Sequence, residues 1–251
     1  MKKLILFLVM GWPLVCLAEA YQSTLLVQTG NLRESDLIIR TITDLESNKI
    51  CLAFYIRTTG TSPVLSCYNA EAGFASDINQ VGNFKQGKLV VRKMKDTING
   101  ISCLVAYTSV AGTSPSINCY RSRKSAKDTL VRSGHLREGD LDVYRIVDAD
   151  STKTCLISYV SIGGTSPSLI CYDSRSGSKG ALVQNSYLRE GDLIVRKIVD
   201  ESNAKECLIT YVSTEGTSPF IHCSDTAHGK QPVASSQQRS VPATPVPVPA
   251  R

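Results

Sequence analysis

Four copies of one cysteine-bounded stretch, C-L-x-x-Y-x-x-x-x-G-T-S-P-x-x-x-C, decide what this chain can fold into. They run Cys51 to Cys67, Cys103 to Cys119, Cys155 to Cys171 and Cys207 to Cys223, each beginning 52 residues after the last. From the first Cys the residues alternate: Cys207, Ile209 and Tyr211 fall on one side, Leu208, Thr210 and Val212 on the other. Period-two alternation rich in β-branched and aromatic residues reads as a strand. In the G-T-S-P that follows, glycine tolerates positive φ and proline fixes φ where the chain leaves the turn. A second short strand then ends on the second Cys, with an apolar residue two places before it (Leu65, Ile117, Leu169, Ile221). A hairpin turning midway sets the two cysteines opposite one another.

Eight cysteines allow about a hundred pairings. Strict repetition singles out the set within the repeats: Cys51–Cys67, Cys103–Cys119, Cys155–Cys171 and Cys207–Cys223. A bridge closing a loop of about 15 residues is worth roughly 3 kcal/mol in the chain-entropy account.

Ahead of each hairpin lie two more strand-like segments. The first is short, at Thr24 to Gln28, Asp77 to Val81, Thr129 to Arg132 and Ala181 to Gln184. The second is longer, at Leu37 to Thr43, Leu89 to Lys95, Leu141 to Val147 and Leu193 to Val199. The turn between them reads L-R-E-S-D at residues 32–36 and L-R-E-G-D at 136–140 and 188–192, but F-K-Q-G-K at 84–88. After the long strand comes a polar turn opened by Asp44, Asp96, Asp148 or Asp200, with Asn99-Gly100 as its strongest hairpin signal. No stretch keeps helical periodicity. The sequence therefore predicts an all-β protein of four repeats (about 21–72, 73–124, 125–176 and 177–226), each a four-stranded antiparallel meander.

The long strands are apolar on both sides, so the sheets must be covered on both faces. An open array needs atypical capping repeats. Here the divergent copy is the second, while the first and last fit the pattern. These two facts predict closure into a four-bladed β-propeller-like ring, with paired β-sandwiches or four separate modules as the alternatives.

Residues 1–20 read as a secretory signal: Lys2 and Lys3, an apolar run from Leu4 to Leu17, then Ala18-Glu19-Ala20 as a small-x-small cleavage site. The apolar run is short of the ~20 residues that span a bilayer, so no transmembrane segment is expected after cleavage. Cleavage removes Cys16, one of nine cysteines, and leaves an even number for an oxidising compartment. Residues 227–251, ending P-V-P-V-P-A-R, read as a Pro-rich disordered tail or a strip that docks a partner.

The chain carries 28 Lys and Arg against 22 Asp and Glu, interspersed. Modest charge, few aromatic candidates and export argue against nucleic acid. The three histidines, His135, His222 and His228, occupy no repeated position, and no repeat places a base at a constant offset from its G-T-S-P serine. Cysteine spacing is too long for structural zinc, and Asp36, Asp140 and Asp192 supply too few carboxylates per turn for calcium. No cofactor or metal is expected. Tyr68, Tyr120 and Tyr172 directly follow the second Cys and point away from the disulfide. On a packed face they fill space between sheets; on an exposed face they offer flat surfaces to sugars or a partner protein.

The sequence thus predicts a non-enzymatic exported binding or scaffold module, periplasmic in a Gram-negative bacterium, or else secreted or held at the cell surface. G-T-S-P loops would lie on one rim of the ring and L-R-E-G-D turns elsewhere. The binding residues would be Thr61, Ser62, Thr113, Ser114, Thr165, Ser166, Thr217 and Ser218, joined by the three tyrosines, and the partner a protein or an envelope glycan. The alternatives are a hydrolase-type site drawn once from His135, Asp142, Tyr144 and His222, and a structural part of a larger envelope complex.

Overall fold

The computed structural model describes residues 26–71, 73–122, 130–175 and 180–226. The expected signal and Pro-rich tail lie outside them. Among the described residues sixteen strands form four antiparallel sheets, each a meander in chain order. Sheet 1 is β1 (Leu26–Glu34), β2 (Leu37–Asp44), β3 (Lys49–Ile56) and β4 (Val64–Asn69). Sheet 2 is β5 (Ile78–Gln86), β6 (Leu89–Asp96), β7 (Ile101–Thr108) and β8 (Ser116–Arg121). Sheet 3 is β9 (Leu130–Glu138), β10 (Leu141–Asp148), β11 (Lys153–Val160) and β12 (Ser168–Asp173). Sheet 4 is β13 (Leu182–Glu190), β14 (Leu193–Asp200), β15 (Lys205–Val212) and β16 (Phe220–Asp225).

The four disulfides form within repeats as the spacing required, each joining directly opposed residues such as Cys155 and Cys171. The first strand of each repeat runs longer than the sequence suggested. It continues through the L-R-E segment, so the turn is only two residues long: Glu34 pairs with Leu37. A bulge explains the difference. Pairing skips a residue between Gln28 and Gly30, and likewise between Gln80 and Gly82. The unpaired residue and the adjoining glycine read as a strand end, although the ladder resumes beyond them. The tight turn is led by a residue of positive φ, 60° at Ser35 and 58–64° at Gly87, Gly139 and Gly191.

Each sheet has a cystine face, which carries the disulfide, and an opposite face. Leu37, Ile39, Leu52 and Phe54 on the opposite face of sheet 1 pack on Val90, Met94, Cys103 and Val105 on the cystine face of sheet 2. The same order recurs at the next two junctions: Leu89, Val91 and Leu104 meet Ile146, Cys155 and Ile157, and Leu141, Val143 and Leu156 meet Ile194, Cys207 and Ile209. Every junction therefore joins unlike faces.

The expected ring is not the arrangement found. Among the described residues three cores fill three junctions, and none joins sheet 4 to sheet 1. Successive sheets also approach along both lateral edges, β1 to β5 to β9 to β13 and β4 to β8 to β12 to β16. Blades fanned about an axis would be close at one edge only. The sheets instead lie face on face in an open stack. The ends are not capped: Leu193, Leu208 and Phe220 of sheet 4 and Leu65 of sheet 1 stand exposed.

Candidate functional site

In a four-stranded meander the first and third turns fall at the same end. The G-T-S-P loops and the two-residue turns therefore share one end of the stack, rather than the separate locations expected. Arg57 N donates to Asp36 O, Ser109 N to Lys88 O, Ser161 N to Asp140 O and Ser213 N to Asp192 O, at 2.8–3.0 Å.

Within each loop the threonine hydroxyl closes the turn on itself. Thr61 Oγ1 donates to Ile56 O and Thr58 O, and Thr217 Oγ1 to Val212 O and Thr214 O, at 2.8–3.2 Å. Thr113 and Thr165 make the equivalent bonds and are buried. The serines tie one loop to the next. Ser62 N donates to Ser114 Oγ (2.9 Å), Ser114 N to Ser166 Oγ (2.7 Å) and Ser166 N to Ser218 Oγ (3.1 Å). The four loops thus form one continuous row. Glycine is required at their crests: Gly60 and Gly112 both have φ near 79°, and a Cβ on Gly60 would lie 3.3 Å from Gly112 Cα.

Residues just before each glycine stand open to solvent: Thr58 and Thr59, Ala111, Gly163, and Thr214 and Glu215. The repeated threonines and serines hold the row, and the residues before each glycine vary. That division could have been seen in the sequence, since G-T-S-P is invariant while the two preceding residues change from copy to copy.

Tyr68, Tyr120 and Tyr172 sit between sheets. Each hydroxyl donates to the turn aspartate of the following repeat: Tyr68 to Asp96 (2.6 Å), Tyr120 to Asp148 (2.8 Å) and Tyr172 to Asp200 (2.6 Å). Burial, and then the neighbouring carboxylate, push all three phenols well above their ordinary value. Tyr68 and Tyr120 also line an open cleft of about 300 Å3 with Asn69, Ile101 and Arg121.

A second inter-sheet set escaped the sequence reading. Tyr107 donates to Asp36 (2.9 Å) while Arg92 donates to Tyr107 (2.8 Å) and lies 3.6 Å from Asp36. Arg196, Tyr211 and Asp140 repeat the set one junction further but one. The middle junction keeps the tyrosine, as Tyr159, but has Lys88 for the aspartate and Tyr144 for the arginine. This coordinated change between residues 56 apart was the signal available. The middle junction instead carries two buried lysines: Lys93 Nζ lies 2.8 Å from Asp148 and 3.5 Å from Asp150, and Lys95 Nζ 3.1 Å from Asp150.

Of the non-repeated polar residues, three converge. His135 Nε2 lies 2.8 Å from Asp142 Oδ1, and its ring stacks on Tyr144 at 4.4 Å between centroids. Phe84 closes over Tyr144 from sheet 2. His222 is elsewhere, exposed on the outer face of sheet 4. Among the described residues no serine, threonine or cysteine bonds to His135.

Fold and site together define a class: an open stack of β-meanders, each stapled by one disulfide and displaying one loop in a common row. No protein-family model matches the chain, and no curated protein matches it either. Four disulfides belong to an oxidising compartment, and among the described residues no helix is long and apolar enough to cross a membrane.

Proposed function

We propose that this is an exported, non-enzymatic binding module that engages a protein or an envelope glycan through its row of loop tips. The observation that carries this reading is the serine ladder, which holds four exposed tips in a single line on a rigid scaffold. Loops held by a stiff framework are the usual seat of recognition. Direct bonds of 2.7–3.1 Å between successive loops draw the tips closer together than the roughly 10 Å that separates stacked sheets. The tips are small and almost uncharged, and suit an extended, repetitive ligand that touches several in register. Four weak contacts made together raise avidity without any one being strong. Periplasmic residence in a Gram-negative bacterium, signal cleavage after Ala20 and a docking role for the Pro-rich tail complete the proposal.

The test replaces Thr59, Ala111, Gly163 and Glu215 with lysine, singly and together. Binding of the full chain to a glycan array and to isolated cell-envelope fractions is then measured. Capture should fall progressively with each replacement while the melting temperature holds. Capture that is unchanged in the fourfold variant rejects the loop row.

A further inference from the structure

We propose that a second copy of this chain docks on the ends of the stack, the outer face of sheet 4 in one copy against the cystine face of sheet 1 in the next. Each interior junction joins an opposite face to a cystine face, and the two faces left over are one of each kind. An interface between unlike faces can repeat from copy to copy.

The charges fit this pairing. Across interior junctions Asp36 faces Arg92 and Tyr107 and Asp140 faces Arg196 and Tyr211, while at the middle junction Lys88 stands at the aspartate's position and Tyr144 at the arginine's. At the free ends the residues in these places are Asp192 on sheet 4 and Arg40 with Tyr55 on sheet 1, the matched combination. Arg40 already donates to Tyr55 (3.2 Å) and Gln28 (3.1 Å), as Arg196 does to Tyr211 and Gln184. The difference is cover: Arg196 is 9 % exposed under sheet 3, whereas Arg40 and Asp192 are open to solvent.

A second set agrees. Lys93 reaches Asp148 and Asp150, and Arg145 reaches Asp200 and Ser202, at 2.6–3.5 Å. Where sheet 1 has Thr41 instead of a cation, sheet 2 has Ile98 instead of the second polar group. The free ends offer Lys197, now paired with Glu206 on its own sheet, and Asp44 with Glu46. The serine ladder is unfinished in the same sense. Ser218 N stands at one end and Ser62 Oγ at the other, both exposed. Apolar residues flank these groups on both faces, Leu193, Leu208 and Phe220 against Ile38, Ile42 and Leu65. One element is missing, since Ser224 replaces the inter-sheet tyrosine. The junction between copies is therefore weaker than those within one.

This inference is independent of the loop-tip reading, because it uses other residues and a different readout. The full chain, as exported, is followed by light scattering and sedimentation velocity over a concentration series. Mass should rise with concentration in whole-copy steps. Asp192→Arg or Arg40→Asp should each weaken association about tenfold or more, as like charges then face each other across the interface. The double variant Arg40→Asp/Asp192→Arg should recover it. Both positions are exposed, so circular dichroism and melting serve as controls for folding. A single-copy mass at every concentration overturns the proposal, whether the end faces stay bare or another partner takes them. So does association that the single reversals leave unchanged, or that the double variant fails to restore.

Discussion

Replacing Lys93 by methionine tests how the stack is held together. The lysine side chain is fully buried, and so are the carboxylates of Asp148 and Asp150 that it touches from across the junction between sheets 2 and 3. Methionine has a similar length and fills the space without the charge. The Asp148 carboxylate then keeps bonds from Tyr120 (2.8 Å) and Ser151 (2.6 Å) but loses the cation that offsets its burial. Removing one partner of a buried ion pair costs about 3–5 kcal/mol. That is a large part of the roughly 5–15 kcal/mol that stabilises a typical protein. Burial alone would raise the Asp148 carboxyl, but hydrogen bonds from Lys93, Ser151 and Tyr120 and the charge of Lys93 hold it below its ordinary 3.8. A carboxyl so lowered contributes stability that is present above 3.8 and lost as pH falls through its folded value. The variant forfeits that contribution at neutral pH, so the gap between the two proteins should narrow as the solution is acidified. Urea unfolding of the disulfide-intact full chain, followed by circular dichroism at several pH values, measures both quantities. Lys93→Met/Asp148→Asn should be less damaged than the single variant. A neutral-pH loss under about 1 kcal/mol, where a buried pair calls for more, or a gap that stays constant on acidification, would refute the reasoning.

Three further outcomes are expected. Tyr172→Phe removes a hydrogen bond to a charged group and should cost about 1.5–3 kcal/mol in a melting experiment, whereas Tyr55→Phe on the outer face of sheet 1 should cost far less. Mild reductant followed by differential alkylation should open Cys51–Cys67 first, because its cystine face is the one no sheet of the same chain covers; the pairs at Cys103, Cys155 and Cys207 should lag. In alkaline titration, burial, and then contact with Asp36 and Asp140, raise the Tyr107 and Tyr211 phenols from 10.0 to about 12. Phenols raised on folding stabilise the protein fully below 10 and lose that contribution as pH climbs towards 12, so unfolding and tyrosinate absorbance should rise together across that window.

The hairpins, the disulfide pairing and the four repeats were legible because each rests on local signals, above all alternation and the opposed cysteines. Association of the sheets was not. Apolar residues on both faces of β14, such as Leu193 and Ile194, require cover without saying at what angle it comes. Here successive sheets approach at both lateral edges, which a pattern along one strand does not report. The absence of a capping repeat was a true observation, yet the stack leaves its ends uncovered instead of closing. First-strand length was misread for a backbone reason, the bulge at Gly30 and its equivalents. G-T-S-P located the loop of each hairpin. Its hydroxyls bond within the fold, in Thr61-type turn closure and the Ser62-to-Ser114 ladder. Sequence alone could not show that a serine bonds to its own counterpart 52 residues away.

The joining of unlike faces gives the molecule a direction, and it removes any geometric condition on how many layers there are. A ring admits only the number of blades that completes a turn; a column does not. Excising the middle two layers, residues 73–176, would seat Asp36 opposite Arg196 and Tyr211, a pairing the column already tolerates elsewhere. Length, and with it the reach of the displayed line, is in this architecture a quantity that changes by whole floors with no redesign of the mortar between them.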